Sequence, residues 1–155
     1  MSVNGNPTPS IAIIIRPACP ADAHSVYTFL CELEEELLSR PAFDAIYEQN
    51  LANPQIHYLI AEFAGEVVGF VSCHVQHLLH HVGKVGEIQE LFVKANYRNQ
   101  RIGHQLVKAL DTLAQQEGFI NLEVTTNQKR LDTVRFYERE LFHRTHVKLI
   151  KPLQH

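Results

Sequence analysis

The stretch from Glu87 to Val107 limits what this chain can become more than any other. An apolar run, Glu87-Ile88-Gln89-Glu90-Leu91-Phe92-Val93, stops at a polar turn carrying Arg98, Arg101 and Gly103. A helical pattern of Ile102, Leu106, Val107, Leu110, Leu113 and Ala114 starts at once. A strand that passes through a tight basic turn into a helix N-terminus presents several unpaired backbone N–H groups to one point. The positive end of the helix dipole adds to them. Such a turn suits a pyrophosphate, so the segment reads as a cradle for a nucleotide-containing cofactor.

Composition removes several function classes. A chain of 155 residues fits one domain, and a 45% hydrophobic fraction supplies a core. A net charge of −3 leaves no electrostatic footprint for nucleic acid. No apolar run approaches the ~18 residues of a membrane span. Met1 to Ser10 is polar, holds two prolines and lacks a signal-peptide core. It is expected to be a flexible segment (1–10) before a single domain (11–155) in the cytoplasm. Cys19, Cys31 and Cys73 have no metal or disulfide spacing and are expected as reduced thiols in or near the core.

The order of elements implies an α/β fold, one mixed sheet with helices on both faces. Ile11 to Arg16 reads as a strand. Ala23, Val26, Phe29, Leu30, Leu33 and Leu37 follow helical spacing to about Leu38, and Pro41 breaks that helix before a second one at Phe43 to Leu51. His57 to Phe63 and Val67 to Val75 form a hairpin around Ala64-Gly65-Glu66. Val82-Gly83-Lys84 closes another before the strand Gly86 to Val93. The helix that begins at Ile102 ends before Gly118, Phe119 to Thr125 is a strand, Arg130 to Glu140 a helix, and Phe142 to Leu149 a last strand.

This order resembles the GNAT family of N-acetyltransferases from about Ile11 to Leu149. The family turn has Arg or Gln, two residues, Gly, one residue, then Gly or Ala. Arg98 and Gly103 match its outer positions, while Arg101 replaces the first glycine. A non-glycine residue there suits a turn that works through backbone N–H groups if its φ is negative. Phe136-Tyr137-Glu138-Arg139-Glu140-Leu141-Phe142 is similar to the family's Tyr-Glu-Lys-Leu-Gly-Phe, with Leu141 in place of glycine. Within the family, Cys31-Glu32-Leu33, Gly65 to Gly69, the hairpin His77-Leu78-Leu79-His80-His81-Val82, Gly86 to Leu91, and Thr126 to Arg130 with Phe136-Tyr137 resemble the aminoalkylphosphonate N-acetyltransferases.

The resemblance implies the GNAT fold, a mostly antiparallel twisted sheet of six to seven strands flanked by about four helices. It implies transfer of acetyl from acetyl-CoA to the primary amine of a small aminoalkylphosphonate, helped by a divalent metal. Arg98, Asn99, Gln100, Arg101, Ile102, Gly103 and His104 would hold the pyrophosphate. Backbone N–H groups at Leu91, Phe92 and Val93 would receive the oxyanion. Asn127 and Arg139 would contact the rest of the cofactor. Glu87 occupies the place of a glutamate general base, and Tyr137 that of a tyrosine general acid. Gln89 and Glu90 are alternatives for the cleft position, because a bulge near Leu91 would change which side chains face it. Lys129 and Arg130 are candidates for the phosphonate.

His77 and His81 lie four residues apart and share a face if the strand continues that far; with Glu87 across the hairpin they would form a Zn, Ni or Mn site. His74 and His80 complete the cluster, and the alternatives are hairpin surface residues or substrate contacts. Other readings are an acetyltransferase for a polyamine, an amino-sugar or a protein terminus, and a non-catalytic acetyl-CoA-binding module. No nucleic-acid or membrane partner is expected. Family habit points to a homodimer, with Arg144 to Ile150 as a strand left free to pair.

Overall fold

The computed structural model describes residues 12–154. The segment 1–10 and the strand start at Ile11 lie outside the described residues. Five strands build one sheet in the order β1-β2-β3-β4-β5. They are β1 (Ile14–Pro17), β2 (Ile56–Phe63), β3 (Glu66–Leu78), β4 (Gly83–Val93) and β5 (Asn121–Val124). Strands β1 to β4 pair antiparallel in succession, and β5 lies parallel to β4. Four helices surround the sheet: α1 (Ala23–Glu34), α2 (Arg40–Leu51), α3 (Ile102–Glu117) and α4 (Leu131–Arg139). Among the described residues no helix is long and apolar enough to cross a membrane.

Side-chain alternation divides the core into two layers. Under α3 and α4 lie Ala61, Val71, Cys73, Ile88, Leu106, Val107 and Leu110, an aliphatic layer that also takes in Tyr137. Under α1 and α2 lie Val26, Phe29, Tyr47, Ile60, Phe70 and Phe92, a layer rich in aromatic rings. Phe29 stacks on Phe92 at 4.8 Å between centroids, and Tyr47 stacks on Tyr58 at 5.7 Å. The thiols follow this division only in part: Cys73 is buried, Cys31 half-buried and Cys19 exposed.

Local chemistry sets most boundaries. Ala64 and Gly65 both have positive φ, 49° and 80°, as a tight two-residue hairpin requires. α1 stops at Glu34 rather than Leu38, because Glu35 turns left-handed (φ 54°) and Ser39 caps the next helix, its Oγ accepting from Ala42 N at 3.4 Å. Pro41 therefore sits in the first turn of α2 instead of ending α1. Gly118 closes α3 at φ 72°. One ionic staple joins the first strands to the α1 entrance: Arg16 donates to both oxygens of Asp22 at 2.8 and 2.9 Å and to Glu62 at 2.7 Å. Asp22 is only 5% exposed, and Arg16 holds its carboxyl below the usual carboxylate value of 3.8.

Two expectations need correction. The β3–β4 hairpin turns earlier than Val82-Gly83-Lys84, through a 3-10 turn at Leu79–His81 with Val82 left-handed (φ 53°), so both strands are longer than expected. Among the described residues the sheet has five strands, not six or seven, because 142–149 makes no ladder. Its backbone finds no strand partner among the described residues.

Candidate active site

The sheet opens at its centre. β4 and β5 pair only from Val85/Asn121 to Ile88/Val124; β5 then ends while β4 continues to Val93. Beyond Ile88 the β5 side of β4 has no strand neighbour among the described residues, so Leu91, Phe92 and Val93 border a wedge. The bulge lies at the start of that wedge. Val71 opposes Leu91 and Cys73 opposes Ile88, which leaves Ser72 alone against both Gln89 and Glu90.

Ser72 pins this irregularity. Its side chain is fully buried on a central strand, and its Oγ accepts from Glu90 N at 3.0 Å while its hydroxyl donates to the Glu90 carboxylate. Tyr58 is Ser72's partner on β2, and Asn50 of α2 donates to the Tyr58 hydroxyl at 2.7 Å. Burial raises the Tyr58 pKa, and the Glu90 charge raises it further. The row Tyr58–Ser72–Glu90 therefore faces α1 and α2. Beside it lies an apolar cavity of about 250 Å³ lined by Val26, Phe43, Tyr47, Tyr58 and Phe70.

Glu87 is half-buried on the same face, opposite His74 on β3 and Glu123 on β5. It accepts from Thr125 Oγ1 at 3.4 Å, a bond spanning the point where β4 and β5 part. Gln89 is exposed. Of the three residues considered for the cleft, the register thus brings Glu87 and Glu90 to the α1/α2 face. Tyr137 is on the other side of the sheet, 5% exposed, wedged between Phe136 and Phe142 at 5.1 and 5.3 Å. Its hydroxyl has no hydrogen-bond partner among the described residues, and burial alone pushes its pKa up. It stays protonated near neutrality.

The basic turn has the backbone of an anion cradle. Asn99 and Arg101 are left-handed, φ 64° and 62°, and the α3 ladder begins with Gln105 N to Arg101 O at 3.0 Å. The N–H groups of Ile102, Gly103 and His104 have no helical partner. The negative φ expected of Arg101 is not found. Arg101, like Leu141 (φ 72°), keeps the conformation that glycine would adopt, at a steric cost of order 1 kcal/mol. Arg98 turns inward, its Nε donating to Val93 O at 3.0 Å. Gln100 and Arg101 are exposed, and Ile102 is a core anchor at 1% exposure. A Cβ on Gly103 would approach the Phe136 ring to 3.2 Å, so the glycine lets α3 and α4 close on each other. His104 Nδ1 lies 2.9 Å from both oxygens of Glu140 and ties the same two helices.

The remaining candidates disperse. Asn127 Oδ1 accepts from Lys129 N at 2.9 Å in the turn before α4. Lys129 is exposed, and Arg130 reaches across to Leu33 O at the end of α1, 3.4 Å away. Arg139 is exposed at the end of α4. The proposed metal set does not assemble. His77 opposes Lys84 and Glu87 opposes His74, and residues three apart on β3 face opposite sides, so His77 and Glu87 are on different faces of the sheet. His81 lies 3.9 Å from Glu123 instead. Among the described residues no three His, Cys, Asp or Glu side chains are grouped to hold a metal ion. Sequence reading missed Ser72 altogether. Its signal was present, a single hydroxyl inside the apolar run Val68 to Val75.

Comparison with known proteins fits this arrangement. The model of the Acetyltransferase (GNAT) family matches residues 23–141. A protein of Salmonella typhimurium named aminoalkylphosphonate N-acetyltransferase is 42% identical over 139 residues, covering 90% of each chain. Among solved structures, a transcriptional regulator from Bacillus halodurans superposes with a TM-score of 0.85 at 23% identity, over 92% of this chain and 100% of that one. An aminoglycoside N-acetyltransferase in complex with CoA gives 0.83 at 17% identity, over 95% and 97% of the two chains. At those identities the two structures speak for the fold.

Proposed function

The chain belongs to the GNAT family of acetyltransferases, which draw acetyl from acetyl-CoA, and on that premise we propose that its acceptor is the primary amine of a small aminoalkylphosphonate. The observation that carries the reading is the 42% identity to the Salmonella protein over 90% of both chains. The site adds a physical argument, since two carboxylates flank the point where the sheet opens.

In this reading the N–H groups of Ile102, Gly103 and His104, with Asn99, Gln100 and Arg101 around them, would hold the pyrophosphate of acetyl-CoA, which supplies the acetyl thioester. Arg98 shapes the turn by holding Val93 O. Asn127 and Arg139 lie farther along the cofactor's path. A free alkyl amine is protonated at neutral pH, with a pKa near ~10. Glu87 takes the amine proton, directly or through water, and the nitrogen lone pair forms the C–N bond at the carbonyl carbon. The N–H groups of Leu91 to Val93 receive the negative oxygen. Tyr137 delivers a proton to the sulfur as the C–S bond breaks, and the second proton lost by the former amine nitrogen returns its phenolate to the neutral form. Burial keeps the Tyr137 hydroxyl protonated at neutral pH. Glu90, held by Ser72, faces the incoming ammonium, and Lys129 and Arg130 at the head of α4 attract the phosphonate. The histidine hairpin does not fit a metal through His77 and Glu87, and no step runs through one.

One observation favours a second acceptor class. The cavity beside Tyr58 is lined by apolar and aromatic side chains with no cation among them. An amine with a hydrocarbon body would fill it better than a phosphonate. CoA-thiol release from acetyl-CoA with 2-aminoethylphosphonate, spermidine and an amino acid decides between them. Phosphonate-selective turnover is expected; turnover restricted to the others keeps the family chemistry and overturns the phosphonate acceptor.

A further inference from the structure

The cavity between α1 and α2 is apolar down to its polar residues. Three side chains in its lining carry oxygen, and each oxygen is already engaged. The Tyr47 hydroxyl donates to Cys19 O at 2.8 Å, the Tyr58 hydroxyl accepts from Asn50 at 2.7 Å, and Ser39 Oγ accepts from Ala42 N at 3.4 Å. Every other lining residue is aliphatic or aromatic. Water there would lack partners, so the space favours hydrocarbon. A cavity of about 150 Å³ with such walls holds benzene; this one is about 250 Å³. Its walls are fixed as well. Phe43 stacks on Tyr47 and Tyr47 on Tyr58, at 5.6 and 5.7 Å between centroids. The linker that brings Leu38 and Ser39 to the rim is held by Tyr27, whose hydroxyl donates to Leu38 O at 2.7 Å. Stacked rings and a bonded linker keep the space from collapsing.

The cavity stands beside the charged part of the acceptor face. Tyr58 lines it, and one strand on, its partner Ser72 holds Glu90. Arg130, with Nη2 3.4 Å from Leu33 O, brings a cation to the end of α1. Apolar volume, carboxylates and cation therefore come from separate elements around the sheet opening. A linear aminoalkylphosphonate with its nitrogen at the carboxylates enters the cavity only phosphonate first. An anion among apolar walls that offer no cation is costly. A branched one meets no such conflict, because amine, phosphonate and hydrocarbon leave one carbon in three directions.

We infer that the cavity takes the hydrocarbon arm of a branched acceptor, an aminoalkylphosphonate whose amine-bearing carbon also carries an apolar substituent of about three to six carbons. The inference rests on the proposed acceptor and sharpens it. Glu87 and Glu90 meet the nitrogen, Arg130 meets the phosphonate, and the walls at Val26, Phe43, Tyr58 and Phe70 select the arm.

Initial rates of CoA-thiol release test this over a series in which only the arm grows: aminomethylphosphonate, then the same molecule with methyl, propyl or isobutyl on its carbon. kcat/KM is expected to rise roughly fourfold for each carbon added. Ala42 and Ile46 stand one turn apart at the mouth of the cavity, and both are exposed. Ala42→Phe and Ile46→Trp narrow that mouth and leave the core intact, as circular dichroism would verify. Each is expected to cut the preference for isobutyl over hydrogen by about 10-fold. A series that stays flat or falls as the arm grows would overturn the inference and leave a phosphonate acceptor in place. So would a preference that neither variant changes. Plain alkylamines with the same arms separate the two readings. Turnover that climbs with the arm on the amines, with none on the phosphonates, keeps the cavity as the seat of the arm and overturns the phosphonate acceptor.

Discussion

The two faces of the sheet are made of different materials. Under α3 and α4 the core is mostly Val, Ile, Leu and Ala with Cys73, and the one side chain there proposed for catalysis, Tyr137, is locked between two phenyl rings. Under α1 and α2 the core is aromatic, a cavity remains, and a buried hydroxyl and two carboxylates occupy the adjacent rows. Branched aliphatic side chains pack to a closed layer. The rings on the other face, stacked as Phe29 on Phe92 and Tyr47 on Tyr58, leave a cavity beside Tyr58. The comparison teaches a division of labour. The α3/α4 side presents backbone N–H groups, which any sequence with the right turn can offer to the donor. The α1/α2 side presents side chains, to which the proposed function gives the choice of acceptor.

The strongest test of that division is Glu87→Gln. As general base it should cost about 10²–10⁴-fold in kcat with acetyl-CoA affinity unchanged. Glu90→Gln in parallel should raise the acceptor KM more than it lowers kcat. If Glu90→Gln gives the larger kcat loss, the two carboxylates exchange roles. Next in size is Arg16→Leu, which leaves the buried Asp22 carboxylate unpaired where α1 meets the sheet. Chemical denaturation should find a loss of about 3 kcal/mol. Because the Asp22 pKa is lowered in the fold, its stabilising share is complete above 3.8 and disappears as pH falls through the lower folded value; the variant should lack that acid limb. An equal acid sensitivity of wild type and variant would remove the staple from this account.

Ser72→Ala should act on the acceptor face alone. It strands Glu90 N, so stability falls by about 1–2 kcal/mol. The acceptor KM should rise roughly 10-fold while that for acetyl-CoA stays put. Equal shifts in both constants would mean that the serine supports the strand and nothing more. The smallest effect expected is a gain. Leu141 is exposed and left-handed, so Leu141→Gly should stabilise by roughly 0.5 kcal/mol, steric relief being partly offset by the greater freedom of glycine in the unfolded chain. Thermal unfolding resolves that sign, and a loss would show that the side chain has a contact worth keeping.

The donor half of the site was legible because it is local. Strand, basic turn, Gly103 and α3 follow one another within some twenty residues, and Gly118 and the Ala64-Gly65 turn are likewise written in neighbouring residues. The two glycine replacements were legible as departures, but their outcome was not: at Arg101 and Leu141 the backbone kept a positive φ that sterics alone disfavour. Packing around a short turn outweighed a preference of order 1 kcal/mol.

The acceptor half needed the tertiary structure. Ser72 and Glu90 are eighteen residues apart in sequence and meet only because β4 carries one residue more than β3 between Cys73/Ile88 and Val71/Leu91. Side chains on a strand alternate with period two, so a single extra residue, or a hairpin that turns at Leu79–His81 instead of Val82–Lys84, moves every side chain beyond it to the other face. That is how His77 parted from Glu87. The last strand expected over Phe142 to Leu149 forms no ladder among the described residues, because a strand exists only with a neighbour to bond. Sequence by itself therefore determined the family, the fold and the place of the basic turn before α3, where the interactions are near in the chain. Register, the bulge and the partner of each edge belong to the folded sheet, because hydrogen bonds between distant segments choose among pairings that the local sequence leaves equal.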